Sequence, residues 1–131
     1  MELVAVPSQK LNDLAGLSVL VVEDEYFVAS DSARALRDHG ARILGPVPDT
    51  QRARELLAGE SPDVVLLDVN LKGEMVYELA EELRQHGVPM IFATGYDASF
   101  LPATLRGEPC LQKPFETHEL VRAVKVHAAR D

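Results

Sequence analysis

The sequence predicts a doubly wound α/β domain with a five-stranded parallel sheet, and the first reason is a set of short apolar runs. Residues 19–22, 64–67 and 90–93 contain no polar side chain. A strand that faced solvent on one side would alternate polar and apolar residues, so these runs indicate strands buried on both faces. Two further strands are expected at residues 41–47 and 110–112.

The second reason is the helical spacing of apolar residues between these strands. Residues 76–83 and 120–127 follow an i, i+3, i+4, i+7 pattern, which is typical of helices with one buried face. Weaker patterns lie over residues 28–36 and 53–57, and each stops near a glycine, which suits a helix C-terminus. Strands that alternate with helices through short connections imply right-handed βαβ units, with helices on both faces of the sheet.

Length and cysteine content limit the architecture. With 131 residues, of which 47% are hydrophobic, the chain can bury one sizeable core but not two. We expect an N-terminal extension over residues 1–14 and a single domain over residues 15–131. The one cysteine, Cys110, excludes an internal disulfide and cannot by itself form a structural zinc site.

Charge and hydropathy argue against two classes of partner. The net charge is −8 and the sequence has no dense Lys/Arg cluster, so we do not expect nucleic-acid binding. No apolar run approaches the roughly 20 residues that cross a bilayer. The first residues also lack the pattern of a signal peptide. We therefore expect a cytoplasmic protein without membrane contact.

Polar residues at the ends of the predicted strands form a candidate site. The first strand is followed by residues 23–25, all acidic, and the third ends at Asp68. The fourth ends at Thr94 and the fifth is followed by Lys113. In an open parallel sheet the carboxyl ends of the strands meet at one edge, where ligands bind. We therefore expect these side chains to lie together.

The chemistry of these residue types suggests two roles for the site. Carboxylates at one edge repel one another unless a cation relieves the field. Mg²⁺ prefers oxygen ligands, and Asp24, Asp68 and the backbone carbonyl of Asn70 could supply them. A carboxylate can also attack phosphorus, and the product then needs positive charge and a hydroxyl nearby. Asp68, Lys113 and Thr94 fit those roles.

Each of these features also has an ordinary structural explanation. An Asp after a strand often caps a helix or turn, and residues 23–25 could be a solvated helix start with Asp24 as its cap. Lys113 and Pro114 could form a surface turn. Because four such features fall at the ends of four different strands, we favour a functional site.

Four motifs in this order resemble the receiver domain of two-component response regulators over residues 15–129. They read Val-Leu-Val-Val-Glu-Asp-Glu, Leu-Leu-Asp-Val-Asn-Leu, Ala-Thr-Gly and Lys-Pro-Phe. The resemblance implies a flavodoxin-like, or CheY-like, sheet with strand order 2-1-3-4-5. It also implies that a sensor histidine kinase, or a histidine phosphotransfer protein, donates a phosphoryl group to Asp68.

The resemblance assigns a role to each candidate residue. Asp24 and Asp68 would bind Mg²⁺ together with the backbone carbonyl of Asn70. Glu23 stands where many relatives have Asp, and its longer side chain would hold a metal-bound water. The remaining roles fall on Thr94, which would meet a phosphoryl oxygen, and on Lys113, which would pair with it. The bond between Lys113 and Pro114 would be cis, as in the family, and would shape that loop. Asn70 and Tyr96 match two variable positions that tune the lifetime of the phosphate.

Two departures from the family pattern concern the segment before Lys113. Cys110 stands where many receivers have a Tyr or Phe that rotates inward on activation. Residues 95–109, where the family places its fourth helix, include Pro102 and Gly107 and have little apolar periodicity. We expect that helix to be short or displaced. Both departures resemble the subgroup of stand-alone receivers named for a Phe-Ala-Thr-Gly motif, and we hypothesise that ordering of this loop replaces the aromatic relay.

Output is expected to pass through protein contacts. The last helix ends close to Asp131, so we expect a regulator without an output domain of its own and not an enzyme. It would be a monomer or a phosphorylation-dependent dimer that signals to an unknown downstream protein. Contact surfaces are expected on the first helix, which the family's kinases commonly contact, and over residues 95–120. Val28, Ala29 and Phe115 are the candidates.

Three other functions are weighed against this one. The chain could be a receiver-like interaction module without productive phosphorylation, although the complete set of site residues argues against it. It could be a phosphate sink, which the sequence does not distinguish from a switch. A Mg²⁺-dependent phosphatase with an aspartate nucleophile is disfavoured, because such enzymes usually have a second Asp where this chain has Asn70.

Overall fold

A computed structural model describes residues 12–71, 74–95 and 101–128 of the chain. Within these residues the strands of the main sheet are separated by helical segments, as expected. The elements are β1 (Ser18–Val22), α1 (Tyr26–Asp38), β2 (Arg42–Val47), α2 (Thr50–Leu57), β3 (Val64–Asp68), β4 (Asn70–Leu71), β5 (Glu74–Met75), α3 (Tyr77–Gln85), β6 (Met90–Thr94), a short 3₁₀ helix (Ala103–Leu105), β7 (Cys110–Gln112) and α4 (Thr117–His127).

Five strands form one sheet in the order β2-β1-β3-β6-β7. Every neighbouring pair in it is parallel. Since β6 and β7 are the fourth and fifth strands of this sheet in chain order, the predicted order 2-1-3-4-5 is confirmed. All residues of β3 and β6 are buried, which agrees with their lack of polar alternation.

Helices cover both faces of the sheet, and each face has its own apolar core. Alternate residues of β1 show the division: Leu20 and Val22 belong to the core beneath α2 and α3. Val19 and Val21 belong to the core beneath α1 and α4. Period-two alternation along a strand produces this split. Of the helices that the structure describes, none is long and apolar enough to span a membrane.

A small antiparallel hairpin of β4 and β5 follows β3 and was not predicted. Asn70 pairs with Met75, and Leu71 pairs with Glu74. Strands of two residues are too short to show a period of two, so the sequence has no pattern that reveals them. The hairpin begins two residues after Asp68 and fixes the course of the chain beside it.

The segment between β6 and β7 is better anchored than the sequence suggested. Its described part, residues 101–109, has the 3₁₀ helix as its one helical element, in agreement with a short helix here; residues 96–100, including Tyr96, lie outside the described residues. Leu101 and Leu105 are buried in the core beneath α2 and α3, and the Thr104 hydroxyl donates to Glu81 of α3. The weak apolar periodicity of residues 95–109 therefore did not reveal that Leu101 and Leu105 are anchored in the core.

A bulge in β2 determines how the end of β1 is held. Leu20 pairs with Leu44, but Val22 pairs with Val47, so β2 has one extra residue between these pairs. Gly45 provides it with a φ of 83°, a value that favours glycine. As a result the carbonyl of Val47 accepts a hydrogen bond of 2.9 Å from the backbone N–H of Glu23.

Replacing Gly45 with alanine tests this bulge. A Cβ at this position would lie 2.8 Å from the backbone N of Val47 and 3.1 Å from the carbonyl of Val21. Because of these close contacts and the positive φ, we expect Gly45→Ala to lower the free energy of unfolding by roughly 1–3 kcal/mol. Urea denaturation measures this change. Gly59→Ala is the matched control, because its Cβ would meet no atom within 4 Å. An equal effect of both substitutions would show that the bulge does not require glycine.

Candidate functional site

The carboxyl ends of four strands bring the predicted site residues to one edge of the sheet. Glu23 follows β1, Asp68 ends β3, Thr94 ends β6 and Lys113 follows β7. Glu23 and Asp68 are each 6% exposed and Thr94 is 4% exposed. A site at this edge was predicted from the ends of the strands, and the structure brings Glu23, Asp68 and Lys113 into contact there.

Three carboxylates form the acidic part of the site. Oxygen atoms of Glu23, Asp24 and Asp68 all lie within 4.8 Å of one another. The explanation of Asp24 as a helix cap does not hold, because the N-cap of α1 is Glu25, which makes no side-chain cap bond. The backbone N–H of Glu25 instead donates to Glu23 Oε2 at 3.1 Å. The start of α1 thus leaves the Asp24 carboxylate in the cluster.

Lys113 brings a positive charge into this cluster. Its Nζ lies 2.9 Å from Glu23 Oε1 and 3.5 Å from Asp68 Oδ1. Burial alone would lower the pKa of Lys113, but the hydrogen bond to Glu23 and the negative charge of Asp68 outweigh it and raise that pKa. The backbone N–H of Lys113 donates to the carbonyl of Thr94 at 2.7 Å, and the bond to Pro114 is cis, as the resemblance implied.

Burial and neighbouring charge disfavour the ionised form of Asp68. Burial contributes most and Glu23 adds to it, so the pKa of Asp68 rises from its ordinary value of 3.8 to about 7. The charge of Lys113 and a 3.3 Å hydrogen bond from the backbone N–H of Asn70 act in the opposite direction. A divalent cation beside Asp68 would favour its charged form, so the cluster has the electrostatic character of a cation site.

Two exposed aromatic residues beside the cluster were missed by the sequence analysis. Tyr26 and Phe27 begin α1 and are 74% and 76% exposed. Their rings meet edge to face with centroids 5.3 Å apart. Adjacent residues of a helix are about 100° apart around its axis, so two neighbouring aromatic side chains rarely both face the core. The aromatic pair at the predicted start of the helix could therefore have indicated an exposed ring.

The predicted contact residues on α1 need one correction. Ala29 is 6% exposed and lies in the helix–sheet interface, so a surface role for it is wrong. Val28 and Phe115 are half-buried and line a groove of about 430 Å³, together with Ser32 and Lys113. The apolar pattern over residues 28–36 is too weak to indicate whether Ala29 faces the sheet or the solvent.

Comparison with known families settles the classification. Residues 19–125 match the family model described as "Response regulator receiver domain". The chain belongs to this family. Receiver domains are regulatory domains of two-component systems rather than enzymes in the usual sense. The resemblance found in the sequence motifs is thereby confirmed.

Individual relatives agree with this assignment. The transcriptional regulatory protein PdtaR of Mycobacterium tuberculosis is 30% identical over 116 residues, which cover 86% of this chain and 57% of PdtaR. This chain thus spans little more than half of that relative. The solution structure of SdrG from Sphingomonas melonis Fr1 has a TM-score of 0.72 and 31% identity, and covers 86% of this chain and 94% of SdrG. The response regulator PhyR from Brucella abortus, at 24% identity and a TM-score of 0.74, covers 91% of this chain and 50% of PhyR and shares the fold.

The raised pKa of Asp68 predicts how stability depends on pH in the absence of metal. The unfolded chain releases this proton near pH 3.8, but the folded protein keeps it up to about pH 7. The contribution of Asp68 to stability is therefore fully present below pH 3.8 and is lost as the pH rises through 7. We expect Asp68→Asn in EDTA to raise the free energy of unfolding at pH 8 by roughly 2 kcal/mol, with a gain that shrinks toward pH 5.

Urea denaturation at several pH values measures this effect, with Asp38→Asn as the control. Asp38 is an exposed carboxylate at the far end of α1, so any change it causes should be the same at pH 5 and pH 8. A gain from Asp68→Asn that did not vary with pH would mean that Asp68 is ionised throughout this range in the folded protein.

Proposed function

We propose that this receiver domain accepts a phosphoryl group on Asp68 from a sensor histidine kinase or a histidine phosphotransfer protein, with Mg²⁺, and signals through protein contacts to a downstream partner in the cytoplasm. One observation carries the proposal. Asp68 lies in a cluster of three carboxylates, with the Lys113 ammonium 3.5 Å away. Each part of that arrangement has a use in phosphoryl transfer to a carboxylate.

The donor set suits Mg²⁺, a hard cation that binds carboxylate and carbonyl oxygen atoms and retains water. Asp24 and Asp68 would bind the ion directly, together with the backbone carbonyl of Asn70, and Glu23 would bind it through water. When bound, the ion neutralises charge on the carboxylates and on the incoming phosphoryl group. The buried cluster, in which Asp68 resists ionisation in the absence of a cation, supports this assignment.

The chain's own residues then perform the transfer. An oxygen of the Asp68 carboxylate attacks the phosphorus of a phosphohistidine, the new O–P bond forms and the N–P bond breaks. The electron pair of that bond stays on the imidazole nitrogen of the donor. Lys113 balances charge on one phosphoryl oxygen, and the Thr94 hydroxyl donates a hydrogen bond to another. Attack of water on the acyl phosphate later returns the Asp68 carboxylate and inorganic phosphate.

A surface for the phosphoryl donor lies next to the acceptor. The donor's histidine must reach Asp68, so its protein has to cover the neighbouring surface. Tyr26 and Phe27 stand on that surface, directly after the acidic cluster, and are largely exposed. The groove lined by Val28, Phe115 and Lys113 also borders the start of α1, where Glu25 contributes to its lining. Aromatic side chains in such positions are common anchors of protein interfaces.

Incubation with acetyl phosphate and Mg²⁺ tests the acceptor. We expect intact mass spectrometry to show one phosphoryl adduct on the wild-type protein, because Asp68 lies in the carboxylate cluster that would hold the cation and 3.5 Å from the Lys113 ammonium. Asp68→Asn and addition of EDTA should both abolish the adduct, whereas Asp38→Asn should retain it.

Beryllofluoride mimics the phosphoryl group without being hydrolysed. Its binding would distinguish a protein whose phosphoryl adduct is too short-lived to detect from a protein that forms no adduct. Absence of both an adduct and a beryllofluoride complex would contradict the proposed switch and favour a receiver-like interaction module. An adduct on Asp68→Asn would place the acceptor elsewhere. A phosphate sink would form the adduct but show no phosphorylation-dependent partner.

A substitution in the aromatic pair tests the donor surface. We expect Phe27→Ala to slow phosphoryl transfer from phosphorylated histidine kinases at least about fivefold, since loss of an interface anchor costs more than about 1 kcal/mol. Phosphorylation by acetyl phosphate should be unchanged, because Phe27 is not among the predicted residues of the site. Val126→Ala, at another exposed apolar residue, should leave both rates unchanged. Equal loss with kinase and acetyl phosphate would indicate damage to the site itself.

A further inference from the structure

Glu23 is held at three points at the edge of the acidic cluster. Its Oε1 lies 2.9 Å from Lys113 Nζ, and its Oε2 accepts the backbone N–H of Glu25 at 3.1 Å. Its own backbone N–H donates to the carbonyl of Val47 at 2.9 Å. The side chain is 5% exposed. Both carboxylate oxygens are thus engaged by this protein's own groups.

Lys113 is closer to Glu23 than to the predicted acceptor. The Nζ atom is 2.9 Å from Glu23 and 3.5 Å from Asp68. In the transfer proposed above, that same ammonium has to meet a phosphoryl oxygen on Asp68. A phosphoryl oxygen on the Asp68 side therefore competes with Glu23 for this ammonium when the acceptor is loaded.

We infer that Glu23 is a positioning residue that holds Lys113 until the phosphoryl group arrives, and that Lys113 then exchanges the Glu23 carboxylate for a phosphoryl oxygen. This inference rests on the proposed function. It differs from the role of Glu23 as the holder of a metal-bound water, because it assigns the carboxylate a second partner on the chain itself. The hold on Lys113 would lower the rate at which an unloaded site is phosphorylated.

Charge balance explains why the exchange is favourable only in the loaded site. Glu23, Asp24 and Asp68 provide three negative charges and Lys113 one positive charge, so the cluster lacks two positive charges when all four are ionised. A divalent cation supplies both, which reduces the attraction between Glu23 and Lys113. The phosphoryl group then adds new negative charge on the Asp68 side, and Lys113 moves toward it.

The length of the side chain at position 23 is the variable that controls this hold. An aspartate is shorter by one methylene, about 1.5 Å. The backbone N–H of Glu23 is bound to the carbonyl of Val47, which disfavours a compensating shift of the main chain. We therefore expect Glu23→Asp to lengthen the contact with Lys113 Nζ and to weaken the hold, while retaining a carboxylate for metal-bound water.

A double-mutant cycle without metal measures the hold itself. The wild type, Glu23→Gln, Lys113→Gln and the double variant are unfolded with urea in EDTA at neutral pH. We expect non-additivity of about tenfold or more in the unfolding equilibrium constant, since the pair is largely buried. The control is the Asp31–Arg34 pair, whose 2.8 Å contact is exposed and should show less than about threefold. A Glu23–Lys113 coupling no larger than that of the control would overturn the inference.

The rate of adduct formation with acetyl phosphate, at saturating Mg²⁺, measures the consequence. We expect Glu23→Asp to react about threefold faster than the wild type, because the shorter carboxylate holds Lys113 less tightly. A purely structural role, or a role in metal binding alone, predicts an equal or lower rate, and that result would sink the inference. If the wild type itself forms no adduct, the proposed function fails and the exchange fails with it, while a coupling in EDTA would still establish the ion pair.

Discussion

Mutual repulsion of three carboxylates at a partly buried edge is the constraint on which this structure depends. Glu23, Asp24 and Asp68 approach within 4.8 Å of one another, and burial makes their charge costly. Rigid strands can hold such an arrangement, because β1 and β3 lie in the middle of the sheet with an apolar core on each side. The free energy of the two cores offsets the cost of the site.

The parts of the fold that the sequence predicted are those with a repeated pattern. Apolar runs predicted the central strands, and the rule that parallel strands end at one edge predicted that Asp68, Thr94 and Lys113 lie together. Features without a period were missed. The hairpin of β4 and β5 has two residues per strand. The four-residue spacing of Leu101 and Leu105 was too short to stand out in a segment that also contains Pro102 and Gly107.

Contacts between segments distant in the sequence determine the features that the sequence did not predict, namely the orientation of Glu23 and the exposed side of α1. The bulge at Gly45 places the Val47 carbonyl against Glu23, so the acidic side chain most involved with Lys113 is oriented partly by the edge strand of the sheet. No local pattern in residues 23–25 records that contact. Similarly, the exposed side of α1 depends on how that helix lies on the sheet, which is why Ala29 was placed on the surface while Tyr26 and Phe27 were overlooked.

The position of Lys113 connects the chemistry to the contact surface. Its Nζ reaches the cluster, its backbone N–H is bound to Thr94, and its side chain lines the groove with Val28 and Phe115. A movement of Lys113 from Glu23 toward a phosphoryl group would therefore alter the groove directly. In a receiver with Cys110 in place of the usual aromatic residue, this short route would require no aromatic relay.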